Sequence, residues 1–226
     1  MRVGAVVQAR MSSSRLPGKV LAPVAGRPLL ALLLERLALC EGLDTVVVAT
    51  SGDPSDDVLA AWCTANAVAC HRGPLDDVAA RMLDAATAHG LEGMVRVCAD
   101  SPLIDPALVD RAVALLRAGD HDLVSNVVPP RTYPPGQSVE ALRTDALAAA
   151  GALMDEPGDR EHVTTALYRH PGRFRTAALR ADPPCADMRL VVDTADDLAA
   201  LRALVGRMSR PQAEHGLDEL MALAAA

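Results

Sequence analysis

The alternation of short apolar runs with longer amphipathic ones constrains the fold of this chain more than any other feature. Runs rich in valine and alanine stand at residues 3–8, 44–50, 67–71, 93–98 and 123–125. Helical patterns separate them at residues 29–39, 53–66, 76–88 and 105–118. Successive β-α steps build parallel sheets with helices on both faces. The sequence therefore predicts an α/β fold, a three-layer sandwich around a mainly parallel, doubly wound sheet.

The second half of the chain departs from this alternation. Residues 128–136 (VPPRTYPPG) include four prolines, which exclude a helix interior or a central strand and predict a loop. Beyond the loop we expect helices at residues 144–154 and 160–168, an edge strand at 174–179, a core strand at 189–192, and a final helix at 195–208 capped by Thr194. Nothing divides the chain into separate cores, so one domain over residues 1–226 with an insertion at 126–165 is expected.

Composition and charge exclude several classes of protein. Half of the residues are hydrophobic and 23% are charged, which favours a compact chain over a disordered one. No apolar run reaches the roughly 20 residues of a membrane span, and no secretory signal is visible, so we expect a cytoplasmic protein. The net charge of −7 argues against a broad nucleic-acid-binding face. The five cysteines have no zinc-binding spacing and indicate a reducing compartment.

The connection after the first strand, residues 9–19 (ARMSSSRLPGK), carries the strongest functional signal. It exceeds the roughly 2–6 residues usual for such a connection. It places Arg10, Arg15 and Lys19 at the carboxyl end of a strand, where ligands bind in open α/β sheets. Lys19 is the single lysine beside 21 arginines, and the serines at 12–14 let backbone N–H groups approach phosphate oxygens. The glycine spacing matches neither a Walker A loop nor a dinucleotide-binding fingerprint, so a different phosphate site is predicted.

Two aspartates are expected at the same edge of the sheet. Asp100 follows the strand at residues 93–98, and Asp193 follows the run at 189–192. Two carboxylates facing a triphosphate supply the hard oxygen ligands that Mg²⁺ requires. Each aspartate alone has an ordinary interpretation, because aspartate is common in turns and before helix caps. Their joint position opposite Lys19 favours a magnesium site.

Eight segments in a fixed order resemble the SpsF-type branch of the cytidylyltransferases, which is related to the CMP-KDO and CMP-sialic acid synthetases. The segments are ARMSSSRLPGKVL, VVVAT, RGPLDDV, RVCADSPLID, VSN, RTYPPG, REHVT and VDTADDL, and the resemblance covers roughly residues 3–205. It implies a GT-A-like nucleotidyltransferase fold. It also implies a homodimer packed through residues 126–165.

The resemblance assigns roles to particular residues. Arg10, Lys19 and Asp100 would be catalytic, and Asp100 and Asp193 would bind Mg²⁺. CTP would lie against Ala9, Arg10, Met11, Arg15, Lys19, Arg72, Gly73, Cys98 and Asp100. A small anionic acceptor would lie against Asn126, Arg131, Tyr133, Gly136, Glu140, Arg160, Glu161 and His162.

The expected reaction is the transfer of CMP from CTP to an acidic sugar, a sugar phosphate or a phosphonate, with release of pyrophosphate. Two alternatives stay open. The residues that contact phosphate and metal do not distinguish one nucleobase from another. One alternative is a nucleotidyltransferase that uses another nucleoside triphosphate, and the other is a catalytically silent nucleotide-binding partner. Relatives often carry acidic residues where Pro135 and Ser138 stand, so the acceptor's identity is also open.

Overall fold

Strands and helices alternate along most of the chain in the computed structural model, which describes residues 1–156 and 158–225. The strands are β1 (Val3–Gln8), β2 (Pro23–Val24), β3 (Arg27–Pro28), β4 (Thr45–Ser51), β5 (Ala69–Gly73), β6 (Gly93–Cys98), β7 (Leu123–Ser125), β8 (Glu140–Arg143) and β9 (Thr176–Ala178). The α-helices are α1 (Leu29–Leu37), α2 (Asp57–Ala65), α3 (Val78–Ala88), α4 (Pro106–Ala118), α5 (Thr144–Gly151), α6 (Asp159–His162), α7 (Thr165–Arg169), α8 (Ala195–Gly206) and α9 (Leu217–Ala225).

The main sheet has seven strands in the order β5-β4-β1-β6-β8-β7-β9. Every neighbouring pair is parallel except the two that β8 makes with β6 and β7. In the register, Gln8 at the end of β1 lies beside Ala49 of β4 and Cys98 of β6. The carboxyl ends of these three strands therefore meet at one edge. The predicted α/β sandwich with a mainly parallel sheet is confirmed.

Two apolar clusters, one on each face of the sheet, form the core. In β1 the side chains of Val3, Ala5 and Val7 join one cluster and Val6 joins the other. This alternation places successive side chains on opposite faces, and both faces are apolar because helices cover both. Helices α1, α4, α8 and α9 contribute to the first cluster, and α3, α5 and α7 to the second.

The prediction of a core strand at residues 189–192 is wrong. This segment has no strand pairing, and the Leu190 and Val192 N–H groups donate instead to the carbonyls of Pro135 and Asp100, both at 2.8 Å. The sequence prediction also missed β8, which lies between β6 and β7 inside the sheet. Because β8 lies inside the main sheet, residues 126–165 contribute directly to the core.

Two helix predictions need correction. The expected helix at residues 160–168 is divided into α6 and α7, because the backbone at Val163 has φ 62° and ψ −57°. The helix capped by Thr194 is confirmed, with a capping box completed by Asp197. It is not the last helix, since α9 follows it. Within residues 1–156 and 158–225, every helix falls short of the length and apolar character that crossing a membrane demands.

Candidate active site

The loop after β1 is held against the sheet edge at Met11. The Met11 carbonyl accepts from the Gly18 N–H at 2.8 Å, and the Met11 N–H donates to the Asp56 carboxylate at 2.6 Å. Gly18 has φ +75°, a left-handed conformation that glycine adopts without strain and that turns the chain into a single 3-10 turn beginning at Lys19. These contacts hold the loop against the sheet edge, so it is not a freely solvated basic segment.

Asp56 is a supporting residue that no sequence pattern assigns to the site. It is fully buried at the carboxyl end of β4, where it accepts hydrogen bonds from the Ser51 N–H at 3.1 Å and from the Ser51 hydroxyl. Its other oxygen holds Met11. Asp56 therefore ties the loop after β1 to the end of the neighbouring strand, which only the tertiary structure reveals.

Lys19 lies at the centre of the site. Its ammonium donates to Asp100 Oδ2 at 2.9 Å, to the Val192 carbonyl at 2.8 Å and to Asp193 Oδ1 at 3.2 Å. Only 8% of the residue is exposed, so these three acceptors replace water. The structure brings together the lysine and the two aspartates that the sequence placed at one sheet edge.

Asp193 is surrounded by further positive charge. Arg15 approaches its carboxylate at 2.9 Å and Arg189 at 2.8 Å. Burial alone would raise the pKa of Asp193, but the hydrogen bonds and charges of Lys19, Arg189 and Arg15 hold that pKa below its ordinary value. The carboxylate is thus ionised at neutral pH, with cationic partners at both of its oxygens.

A cleft of about 270 Å³ opens above this cluster. It is lined by Gln8, Ala9, Arg10, Ser13, Ser14, Arg15, Lys19, Val20, Cys98, Ala99, Asp100, Glu161 and Asp193. Most of the predicted nucleotide-binding residues therefore face one space. Burial raises the pKa of the Cys98 thiol, so Cys98 lines the cleft as a neutral group.

Arg72 and Gly73 lie at the same sheet edge, at the end of β5, but do not line the cleft. The Arg72 guanidinium donates to the carbonyls of Ser51 at 2.9 Å and Asp53 at 3.0 Å. Gly73 has the buried Arg81 against it, and a Cβ at position 73 would lie 2.9 Å from Arg81 Cγ. Arg72 and Gly73 therefore shape the backbone beside the cleft.

Arg81 is a second residue that sequence reasoning missed. Its guanidinium is fully buried and donates to the Pro74 carbonyl and, at 3.1 Å, to the Leu75 carbonyl. Burial, with a smaller effect of the nearby Arg10 charge, lowers its pKa. Among the described residues, Arg81 Nε and Nη2 have no hydrogen-bond partner. An arginine within a regular amphipathic helix pattern is expected on the exposed face, so the sequence does not indicate that Arg81 is buried.

Of the predicted acceptor residues, those in α6 lie nearest to the cleft. Glu161 lines it and faces Arg10 at 3.7 Å. Arg160 pairs with Asp77 of the α3 cap at 2.7 Å, and His162 is exposed. The one-turn helix α6 therefore borders the cleft on the side of Arg10.

Glu140 is buried beneath the cleft. It pairs with Arg96 at 2.6 Å and accepts from the hydroxyls of Thr164 and Tyr168 at 2.7 Å each. Burial and the Glu140 charge raise the pKa of Tyr168, which therefore stays protonated and donates. With only 3% of Glu140 exposed, its carboxylate holds β6, β8 and α7 together and is not presented to an acceptor.

The remaining predicted acceptor residues make internal contacts. Asn126 is buried and bonded to the backbone of Gln137 and Val139. Arg131 donates to the Tyr133 carbonyl at 3.0 Å. The Tyr133 side chain does not lie in this cleft but lines a separate one of about 980 Å³.

Gly136 is packed against the segment that carries Asp193. A Cβ at position 136 would lie 2.4 Å from the Leu190 carbonyl carbon. Gly136 therefore allows the proline-rich loop to contact that segment and does not face the cleft.

Asp100 and Asp193 fit the requirements of a magnesium site. Oxygens from both lie within 3.2 Å of the same Lys19 nitrogen, so both reach one point in space. Carboxylate oxygens are the ligands that Mg²⁺ prefers, with phosphate and water completing its shell. Within the described parts of the chain, no group of three or more metal-ligating side chains is present. A Mg²⁺ ion held by these two carboxylates would therefore need further oxygen ligands from a phosphate-bearing molecule or from water.

Comparisons with known proteins point to one family. A family model for cytidylyltransferases matches residues 5–213. The spore coat polysaccharide biosynthesis protein SpsF of Bacillus subtilis (strain 168) is 30% identical over 208 residues, which are 88% of this chain and 84% of that protein. The 3-deoxy-manno-octulosonate cytidylyltransferase of Anaeromyxobacter sp. (strain Fw109-5) is 30% identical over 227 residues, with coverage of 98% and 84%.

A solved structure shows the same fold over the whole length. The cytidylyltransferase from Leptospira borgpetersenii serovar Hardjo-bovis (strain JB197) superposes with a TM-score of 0.93 at 28% sequence identity. The superposition covers 100% of this chain and 94% of that one. The predicted nucleotidyltransferase fold is confirmed.

Proposed function

The chain belongs to the SpsF-type cytidylyltransferase family, and from this premise we propose that it transfers CMP from CTP to a small anionic acceptor and releases pyrophosphate. The observation that carries the proposal is the cluster of Lys19, Asp100 and Asp193 at the floor of a cleft rimmed by Arg10 and Arg15. Such a cluster supplies cations for a triphosphate and carboxylates for the metal that accompanies it.

The reaction needs little covalent chemistry from the protein. An acceptor oxygen attacks the α-phosphorus of CTP in line, the bond from that phosphorus to the bridging oxygen breaks, and pyrophosphate leaves with the electron pair. Lys19, Arg10 and Arg15 neutralise charge on the triphosphate, and the fixed loop keeps them in place. Catalysis then comes from alignment and preorganised charge.

Asp100 and Asp193 would hold Mg²⁺ in this proposal. The ion supplies electrostatic stabilisation of the phosphate oxygens when it is bound. The protein's own contribution is to keep both carboxylates ionised, and the depressed pKa of Asp193 supports that state.

An acidic sugar, a sugar phosphate or a phosphonate is the proposed acceptor. The names of the two relatives support a sugar acid or a polysaccharide precursor, since one acts on 3-deoxy-manno-octulosonate and the other takes part in polysaccharide biosynthesis. Arg10, which faces α6, and Arg160, which lies within it, suit an anionic group. An acceptor carboxylate or phosphate is already anionic and requires no protein base, whereas a sugar hydroxyl requires one.

We further propose that the protein is a cytoplasmic homodimer that packs through residues 126–165. This proposal is supported by the family resemblance. Size-exclusion chromatography with light scattering measures the mass in solution, and a mass near the 23.6 kDa of one chain would contradict it.

Pyrophosphate release tests the proposed reaction. The purified protein is incubated with CTP, Mg²⁺ and a panel of acidic sugars, sugar phosphates and phosphonates. We expect release with CTP and at least one acceptor, and a loss of about 100-fold or more in Lys19→Ala, because the oriented cation is gone. Arg207→Ala, an exposed arginine after α8, is the matched control and should retain full activity.

The alternatives give different results in the same assay. Turnover with ATP, GTP or UTP in place of CTP would contradict the cytidylyl assignment. CTP binding without turnover across the panel would favour the silent nucleotide-binding partner. Normal turnover in Lys19→Ala would remove Lys19 from the mechanism.

A further inference from the structure

The ammonium of Lys19 lies between the two aspartates and contacts one carboxylate oxygen of each. Its three donors go to Asp100 Oδ2 at 2.9 Å, Asp193 Oδ1 at 3.2 Å and the Val192 carbonyl at 2.8 Å. An ammonium has three donors, so all of them are used. One cation thus already bridges the two carboxylates in the protein alone.

The charges around this point already balance one another. Arg15 lies 2.9 Å and Arg189 lies 2.8 Å from the Asp193 carboxylate. Arg189 also pairs with Asp197 at 3.0 Å, so three cationic side chains meet three carboxylates. A divalent ion that entered the cluster would have to compete with Lys19 for the Asp100 and Asp193 oxygens.

We propose that Lys19 is a resident counter-ion that keeps divalent metal out of the Asp100–Asp193 pair until a triphosphate draws the ammonium away. A triphosphate supplies several anionic oxygens that replace the aspartates as partners of Lys19 and Arg15. The carboxylates are then free at the moment when phosphate oxygens complete the metal's shell. The inference rests on the proposed function for its triphosphate ligand, and not on which base that ligand carries.

A purely structural salt bridge makes a different prediction. If Lys19 only stabilised the fold, its replacement would lower stability and leave metal affinity unchanged. If Lys19 is a counter-ion, its replacement by a neutral side chain of similar length creates a metal site. Metal affinity without nucleotide therefore separates the two roles.

Binding of Mn²⁺ alone to the full chain, followed by electron paramagnetic resonance, measures this affinity. We expect Lys19→Met to bind Mn²⁺ at least tenfold more tightly than the wild type, and Lys19→Arg, which keeps the charge, to bind as weakly as the wild type. Arg27→Met removes an exposed cation paired with Glu35 and should change nothing. The double variant Lys19→Met/Asp100→Asn should lose the gain, which assigns the new site to this pair.

A second measurement uses the wild type and does not depend on whether Lys19→Met folds. Because the chain has a single lysine, labelling lysine with ¹³C and ¹⁵N gives a single Nζ signal by nuclear magnetic resonance. Millimolar Mg²⁺ alone should leave that signal in place, and inorganic tripolyphosphate with Mg²⁺ should shift it.

Two results would overturn the proposal: equal Mn²⁺ affinities of Lys19→Met and the wild type, or a saturable shift of the lysine signal by Mg²⁺ alone. Neither measurement uses CTP or an acceptor. Failure of the cytidylyl assignment in the turnover assay would therefore leave these results interpretable.

Discussion

A buried ion pair beside the cleft contributes to the stability of the protein. The Arg96–Glu140 pair, at 2.6 Å, is withdrawn from water, and Glu140 also accepts from Thr164 and Tyr168. Removing one member of a buried pair leaves the other as an uncompensated charge, whereas exposed pairs contribute little. The pair thus links β6 and β8 to α7. Breaking it should lower the stability of the protein substantially.

Glu140→Ala should lower the free energy of unfolding by about 3–5 kcal/mol, because Arg96 then stays buried with no carboxylate partner and keeps only its bond to the Gln8 side-chain oxygen at 3.3 Å. The matched control is Asp145→Ala, which breaks the exposed Arg143–Asp145 pair. It should cost about 1 kcal/mol or less. Urea unfolding of both variants measures the difference, and equal losses would refute the buried-pair account.

At the level of elements, the segment between β9 and α8 owes its position to a close backbone approach. Gly136 has φ +98°, and Leu190 donates its N–H to the Pro135 carbonyl at 2.8 Å. Two residues further on, the Val192 N–H donates to the Asp100 carbonyl at 2.8 Å. These contacts fix the backbone that presents Asp193, so a loop distant in sequence controls a candidate metal ligand.

Gly136→Ala should destabilise the protein by about 1–3 kcal/mol, since the added Cβ would overlap the Leu190 backbone. It should also reduce turnover by moving Asp193. Gly151→Ala, at the end of α5 with no atom within 4 Å of the new Cβ, is the control and should be neutral or slightly stabilising. Thermal unfolding compares the two, and a neutral Gly136→Ala would show that the approach is not required.

The turn between α6 and α7 stores strain at a buried valine. Val163 has φ 62° and ψ −57°, and the Thr164 N–H donates to the His162 carbonyl at 2.6 Å, as in a γ-turn of the rare, strained type. Val163→Gly and Val163→Ala both lose the side chain's packing, but only glycine relieves the strain. We expect Val163→Gly to be about 1 kcal/mol more stable than Val163→Ala by urea unfolding. The reverse order would contradict the strain.

The elements that the sequence predicted are those marked by a pattern of consecutive residues. Strands β1, β4 and β6 are continuous apolar runs, and the loop after β1 shows its cations directly. By contrast, β8 has four residues and passes into α5 without a turn, so no boundary marks it. Residues 189–192 have a strand-like composition, but their backbone bonds with Pro135 and Asp100 depend on tertiary placement. Asp56 and Arg81 escaped prediction for the same reason.

Across the whole molecule, charge is distributed in a way that suits a polyanionic ligand. The chain carries a net charge of −7, yet Arg10, Arg15 and Lys19 converge on one cleft at the carboxyl edge of the sheet. The cleft also carries Asp100, Asp193 and Glu161, so its cations are held by carboxylates in the protein alone. The acidic character of the chain as a whole disfavours nucleic acid on most of its surface.

The measurement that tests the central claim most directly is the heat of binding of CTP, ATP, GTP and UTP, each titrated into the purified protein with Mg²⁺. The account predicts that CTP binds selectively, that chelation of the metal weakens this binding, and that Asp100→Asn weakens it as well. Preferential binding of another nucleotide would contradict the cytidylyl assignment while leaving the phosphate site intact. Absence of binding by all four would contradict the identification of this cleft as a nucleotide site.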